Sequence, residues 1–437
     1  MSNLSFAGLR GYCLVVVSSM FGLVCGLANA APGDRLGEPI LVVQNGNGSF
    51  ATFPTIARNG AGSFAIVWYS ETRNPDGSSQ PPMLMARLYT AQGQSVGSPF
   101  RVDQKPAFPA IATMPNAIAA GMDDAGNLVV LWQEFGSTIY SPSVIHGRQF
   151  DAAGTARGPE FVLPLSTAGN QLAPDVAVAA NGDFVAVWAE SNPAQLPAGQ
   201  FVISVAESSR IRSQRFGADG SRRGLPKLID SALLLGDGNS DQGGNSSVGF
   251  PAVAVGSDGQ FAITWTRSVQ YAGSIIAARF AANGEALGSS FTVSPAGNYP
   301  DIGIDASGRI LIAWDSAFRR YQADGRPASA EVSRASFLPK LGVAPLGAFV
   351  LASVGREPQS VLPFAPPVEL VQFFNADDQA LTAQMAAAPS LAAFGGGIFH
   401  GVGVDAAGNY AVVLEGQAGT PANPGPSGIY VQRFSGR

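Results

Sequence analysis

Five tryptophans, at positions 68, 132, 188, 265 and 314, each stand six residues after a glycine in the same short phrase: GSFAIVW, GNLVVLW, GDFVAVW, GQFAITW and GRILIAW. Two degenerate copies follow, GAFVLAS ending at Ser353 and GNYAVVL ending at Leu414, making seven. Successive positions are 64, 56, 77, 49, 39 and 61 residues apart. A fixed phrase at an unfixed period means constant strands joined by variable loops, and such units bury their apolar faces only by stacking on one another.

Each phrase has the same neighbours. Fourteen residues before the Trp position stands proline in five copies (54, 174, 251, 300 and 339), with Ile118 and His400 in the other two. Three residues further on comes a small residue in all seven: Ala57, Gly121, Ala177, Ala254, Gly303, Gly342 and Gly403. A position held to Ala or Gly throughout demands a close approach, expected here beneath the indole of a neighbouring unit. Downstream, a third run ends in an aromatic residue (Tyr89, Phe150, Phe216, Phe280, Tyr321, Phe374, Phe434). Four residues later comes a turn position, Gly in five copies and Asp378 in a sixth, followed by a short fourth run such as PFRV, EFVL or SFTV. Four runs with turn signals at every junction read as the four-stranded antiparallel blade of a β-propeller. The expected fold is all-β, a seven-bladed propeller, with six or eight blades as the alternatives because the last copies degenerate.

The final copy, GIYVQRFSGR, has a third run and no fourth. The matching piece, LGEPILVV at 36–43, lies at the other end of the sequence. The N-terminal strand is therefore expected to complete the last blade and close the ring, leaving no unpaired inner edge.

Ahead of that strand, one basic residue, Arg10, precedes an apolar stretch at 13–28, and Ala28-Asn29-Ala30 places small residues at a cleavage site. Residues 1–30 thus read as a secretory signal peptide, the apolar run being shorter than the roughly 20 residues of a spanning helix. The expectation is an exported protein, periplasmic or extracellular, with residues 31–437 forming one propeller domain with no membrane span. Both cysteines, Cys13 and Cys25, fall in the removed segment, so no disulfide is expected and stability must rest on a large core. Removal also takes away Arg10 and no acid, moving the formal charge from −5 to −6. That balance argues against nucleic acid, whose binders present a basic face. A monomer without a cofactor is expected.

The phrases NGDFVAVWAES, IRSQRFGADG and GRQFDAAGTARGPEFVL resemble the tandem β-propeller-type repeats (GxFxVxW followed by RFxxxGxxxGxxFxV) of large secreted bacterial surface proteins. The resemblance spans nearly all of residues 31–437 and implies the same fold. It implies no catalytic residue, and this chain departs from the pattern in its last copies, where Trp is lost twice.

In such a blade the first strand begins, and the second ends, on one face. Five segments fall there, at 71–82, 190–209, 230–250, 355–367 and 415–428, whereas the other face has only tight turns. Variable loops on a rigid scaffold are where binding concentrates. Polar residues aimed at that face are Asp175, Asp301, Lys340 and His400 from first strands, and Glu134, Glu190, Arg267, Asp315 and Glu415 from second strands. Each also has a structural reading. Asp175 and Asp301 follow prolines, where an aspartate caps a turn through its own side chain, and His400 takes a proline position. His146 and His400 are the only histidines, too few for a histidine-rich metal site. Asp237, Asn239 and Asp241 have the spacing of the start of a calcium loop, but Gln242 and Val248 stand where an EF-hand has Gly and Glu, so calcium is carried only as a candidate.

The function expected is that of a non-catalytic binding or scaffold propeller, holding a glycan, a peptide or a surface partner on its loop-rich face. The alternative is a carbohydrate-active or other hydrolase with acid and base among Asp175, Asp301, Glu190 and Asp315. A structural component of an envelope assembly is the third class.

Overall fold

The computed structural model describes residues 30–436 except 47, 105–116, 135–141, 164–168, 194–205, 234–245, 270–271, 335–336, 356–367, 390, 393–400 and 421–422. Among them, seven antiparallel sheets form a seven-bladed β-propeller with no helix. In blades 1 to 6 the strand order follows the sequence from inside to outside; blade 1 consists of Ser49–Arg58, Phe64–Arg73, Ser79–Tyr89 and Ser95–Arg101. The innermost strands of the next five blades are Ile118–Met122, Asn170–Val178, Ser246–Val255, Asp301–Ile304 and Phe337–Val343.

Blade 7 is built from both ends of the chain. Its strands Gly401–Val404, Tyr410–Thr420 and Asn423–Phe434 are followed outward by Ile40–Gln44, antiparallel to Asn423–Phe434 with Ile40 opposite Val431 and Gln44 opposite Gly428. The expected segment, 36–43, is shifted by a few residues, because Leu36 and Gly33 bond to Arg433 and Ser435 through the backbone ahead of the ladder proper. Leu391–Ala392 adds a short extra pairing on Tyr410–Thr420.

The repeat phrase is a core specification. All five tryptophans are buried, none more than 2% exposed. The aromatic two residues after the glycine lies directly opposite the aromatic that ends the third strand. Phe64 on Tyr89, Phe184 on Phe216, Phe261 on Phe280 and Phe349 on Phe374 stack with centroids 4.5 to 4.9 Å apart. The arginine two residues before that aromatic covers its ring in Arg87–Tyr89, Arg148–Phe150 and Arg319–Tyr321. Arg87 and Arg148 also donate to the carbonyls of Val42 and Val102 in the preceding blade, so the motif both fills a blade and fastens it to its neighbour.

The turn glycines take left-handed conformations that other residues rarely adopt, as at Gly93 (φ 85°) and Gly154 (φ 82°), and Asp378 occupies the same region at φ 64°. The small inner-strand position is crowded as expected, but by a different neighbour. A Cβ on Gly121 would lie 2.5 Å from Val178, and one on Gly342 2.6 Å from Val402; Gly303 faces Val343 in the same way. What approaches is the innermost strand of the next blade, not an indole, because the converging inner strands leave room for only one valine side chain between them at these three positions.

Candidate functional site

Five innermost strands carry a local irregularity at the mouth of the channel. The residue before the proline, Phe53, Ala173, Phe250, Tyr299 and Leu338, has a positive φ of 48 to 55°. Pre-proline residues prefer extended conformations, and a non-glycine residue in this region costs about 1–2 kcal/mol. In four of these strands the ladder slips at the same point, between Thr52 and Thr55, Leu172 and Asp175, Gly249 and Ala252, and Phe337 and Lys340. Proline lacks an N–H to give to a ladder, so it sits where pairing is interrupted. In blade 2, with Ile118 in that place, the residue is itself in the ladder, Ile118 opposite Trp132. Side chains of other blades satisfy two of the displaced N–H groups: Phe53 donates to Glu415 Oε1 at 2.7 Å and Ala173 to Gln133 Oε1 at 3.3 Å.

The bulges surround a cavity of about 240 Å³ in the channel mouth. The residue after the proline position contributes Thr55, Ala119, Asp175, Asp301, Lys340 and Gly401 to its wall. Space is left by the small residues of blades 7, 1 and 2, and all three charges come from the facing arc of blades 3, 5 and 6. Above them, Tyr299 lies on the rim with its ring edge-on to Phe250 (4.7 Å) and Phe337 (6.1 Å), the last 49% exposed.

Asp175 and Asp301 both make bonds beyond their own strands. Each reaches into the following blade: Asp175 Oδ2 accepts from the N–H of Val253 at 2.8 Å and Asp301 Oδ2 from Leu341 at 2.7 Å. Burial pushes the Asp175 carboxyl up to about 6, opposed by Lys340 and by the N–H of Val253 and reinforced by the like charge of Asp301. These three candidates therefore share one electrostatic environment.

The second-strand candidates do not join them, because nearby partners hold them. Glu190 meets Arg212 of the adjacent strand at 2.6 Å, and Glu134 meets His146 at 3.1 Å, with that imidazole stacked on Trp132. Arg267 grips Asp230 in the outer strand of blade 3, and the indole N–H of Trp265 donates to the same carboxylate at 2.7 Å. Asp315 is tied to Asn298 through side chain and backbone. His400, Asp237, Asn239 and Asp241 lie outside the described residues, and among the described residues no three His, Cys, Asp or Glu side chains are grouped to hold a metal.

Two of the five long segments are not loops. Residues 71–82 and 415–428 continue the second and third strands as hairpins, with Thr72 opposite Gln80 and Thr420 opposite Asn423. Gly93-Gln94-Ser95-Val96-Gly97 has the G-x-S-x-G spacing of a nucleophile elbow. That motif needs a strand-to-helix turn, whereas here it is the turn into the exposed outer strand of blade 1, on the face away from the channel mouth described above.

No protein-family model matches the chain, and no curated protein sequence does. Solved structures do match. A protein of unknown function from Dyadobacter fermentans aligns over 93% of this chain and 100% of its own at 11% identity, with a TM-score of 0.51. The polysaccharide lyase Uly1 aligns over 87% of this chain and 90% of its own, also at 11% identity and a TM-score of 0.51. At that identity the likeness is one of fold: this chain shares its propeller architecture with both.

Proposed function

We propose that this chain is an exported, monomeric propeller that binds a ligand, a glycan or a peptide, in the channel mouth of its loop-bearing face without turning it over. The observation that carries the reading is how the mouth is used. It combines an open cavity, an aromatic rim and a mixed-charge wall, while Asp175 and Asp301 each spend an oxygen on a backbone N–H of the next blade. Glu134, Glu190 and Asp315 are engaged away from it. Carboxylates that hold two blades together are poorly placed to move relative to a substrate, and a concave site with a few convergent polar groups is the usual form of a binding pocket.

One observation favours the hydrolytic alternative: Asp175, with its carboxyl raised to about 6 next to Asp301, has the character of a general acid. The purified chain from residue 31, screened against polysaccharides and peptidoglycan fragments for both binding and product release, separates the two. Binding without product supports the proposal. Product release abolished by Asp175→Asn or Asp301→Asn replaces it with the enzyme. N-terminal sequencing of the exported protein, expected to begin at Ala31, tests the signal peptide.

A further inference from the structure

The charges in the channel mouth define what such a ligand should carry. Asp175, Asp301 and Lys340 face the cavity from blades 3, 5 and 6, and together they sum to one negative charge whatever contacts Lys340 makes. The innermost strands flanking Asp175, Ile118–Met122 and Ser246–Val255, bring no ionisable side chain to offset it. On the opposite side Thr55, Ala119 and Gly401 leave the room in which a ligand group sits. A residual charge in a partly desolvated cavity is costly until a counter-charge enters. We propose that the channel mouth is a site for a primary ammonium group, presented by a sugar unit whose ring lies against the Tyr299–Phe337 rim, with Asp175 and Asp301 as its acceptors. The inference rests on the binding reading above and narrows it to cationic ligands. A carboxylate has about four lone-pair sites, so one that accepts one or two backbone N–H groups keeps room for further donors, and the inter-blade bonds of both aspartates persist in the complex.

The same charge balance predicts the pH response. Protonation of Asp175 removes the residual negative charge, so attraction for an ammonium group weakens as pH falls through about 6. A tetramer of 6-amino-6-deoxyglucose, whose amine stays protonated across this range, its fully N-acetylated counterpart and a short lysine-containing peptide are titrated calorimetrically into the chain from residue 31, at pH 7.5 and pH 5. The free-amine sugar should bind about tenfold more tightly than the acetylated one at pH 7.5, and that preference should shrink at pH 5. Thr55→Lys, which brings a positive charge to the small-residue side, should abolish the preference, as should Asp175→Asn. If either variant fails to fold, the wild-type pH profile decides. Equal binding of the amine and acetylated sugars, insensitive to pH, overturns the ammonium site while leaving the channel as the binding site. Tighter binding of the peptide than of the amine sugar overturns the sugar and keeps the ammonium. No binding of any amine overturns the inference, and failure of the wider glycan and peptide screen separately overturns the binding reading.

Discussion

The carboxylate of Glu415, in the second strand of blade 7, accepts the backbone N–H of Phe53, in the innermost strand of blade 1, at 2.7 Å. This bond crosses the seam where the two ends of the chain meet, and it satisfies an N–H that the left-handed conformation of Phe53 (φ 55°) has turned out of the ladder. Burial pushes the Glu415 carboxyl up to about 7, with the Phe53 N–H pulling the other way. The seam is thus held by a group that prefers to be neutral but is needed only as an acceptor.

A neutral acceptor should therefore serve as well. Glu415→Gln is expected to melt at or above the wild-type temperature at pH 7.5, because its amide oxygen still reaches the Phe53 N–H without a buried charge. Glu415→Ala removes that acceptor and should cost about 1–3 kcal/mol. Chemical denaturation of both variants checks the contrast; an equal loss in the two would mean that charge, not acceptance, matters at the seam.

The same groups fix the sign of the pH dependence. Burial holds the folded carboxyls of Asp175 and Glu415 at about 6 and about 7, above their ordinary values of 3.8 and 4.5. Between the two sets of values the folded state binds more protons than the unfolded chain, so their contribution is full below about pH 4 and is lost as pH rises toward 7. Melting at pH 5 is expected above melting at pH 7.5, and the difference should diminish in Glu415→Gln and again in the double variant with Asp175→Asn. A melting temperature that instead climbs steadily from pH 5 to 7.5 contradicts this.

Much of this fold is legible in the sequence because its signals are local and repeated. The glycine-to-tryptophan phrase fixes which strand face is buried, and the stacked pairs such as Phe184 on Phe216 follow from the register that the turns impose. The site is less legible, because it depends on relations between blades. Asp175 and Val253 are 78 residues apart, and nothing local says that the carboxylate reaches forward into the next blade. Glu190 and Arg267 do lie at the strand ends that topology indicates, but their orientation is decided by Arg212 and by Asp230, which single-strand reasoning does not weigh. The left-handed Phe53 and Tyr299 run against the preference of residues before proline, so a propensity argument points away from them.

Truncating a core indole tests the repeat itself. Trp188 is fully buried in a core cluster that joins Val176 and Phe216 of its own blade to Leu131 and Ile145 of blade 2. Trp188→Ala should cost about 3–5 kcal/mol. Trp265→Ala should cost a similar amount, with an added penalty because Asp230 loses the indole N–H while remaining bound to Arg267. Urea unfolding of the two variants measures both, and losses below about 1 kcal/mol would mean that the indoles do not hold the blades together.

The closure of the ring gives the most direct test of the architecture. Removing residues 31–45 deletes the strand Ile40–Gln44 and, with it, the buried Val42 and the partly buried Ile40 and Val43 that pack beside Trp68 and Val431. It also deletes Arg35, whose guanidinium donates to the carbonyls of Ala386 and Ala387 in blade 6, and the Val42 carbonyl that receives Arg87 of blade 1. The truncated chain loses an outer strand together with ties to the blades on both sides, and it exposes the backbone edge of Asn423–Phe434 as a template for association. A lower melting temperature, reduced soluble yield and a tendency to associate are expected. Because the lost element is held largely by a backbone ladder, a synthetic peptide of residues 31–45 added in trans should bind that edge and raise the melting temperature of the truncated chain, whereas a peptide with proline at Leu41 and Val43 should not. An unchanged melting temperature on truncation would show that blade 7 stands without its N-terminal strand, and the closure would then contribute nothing to stability.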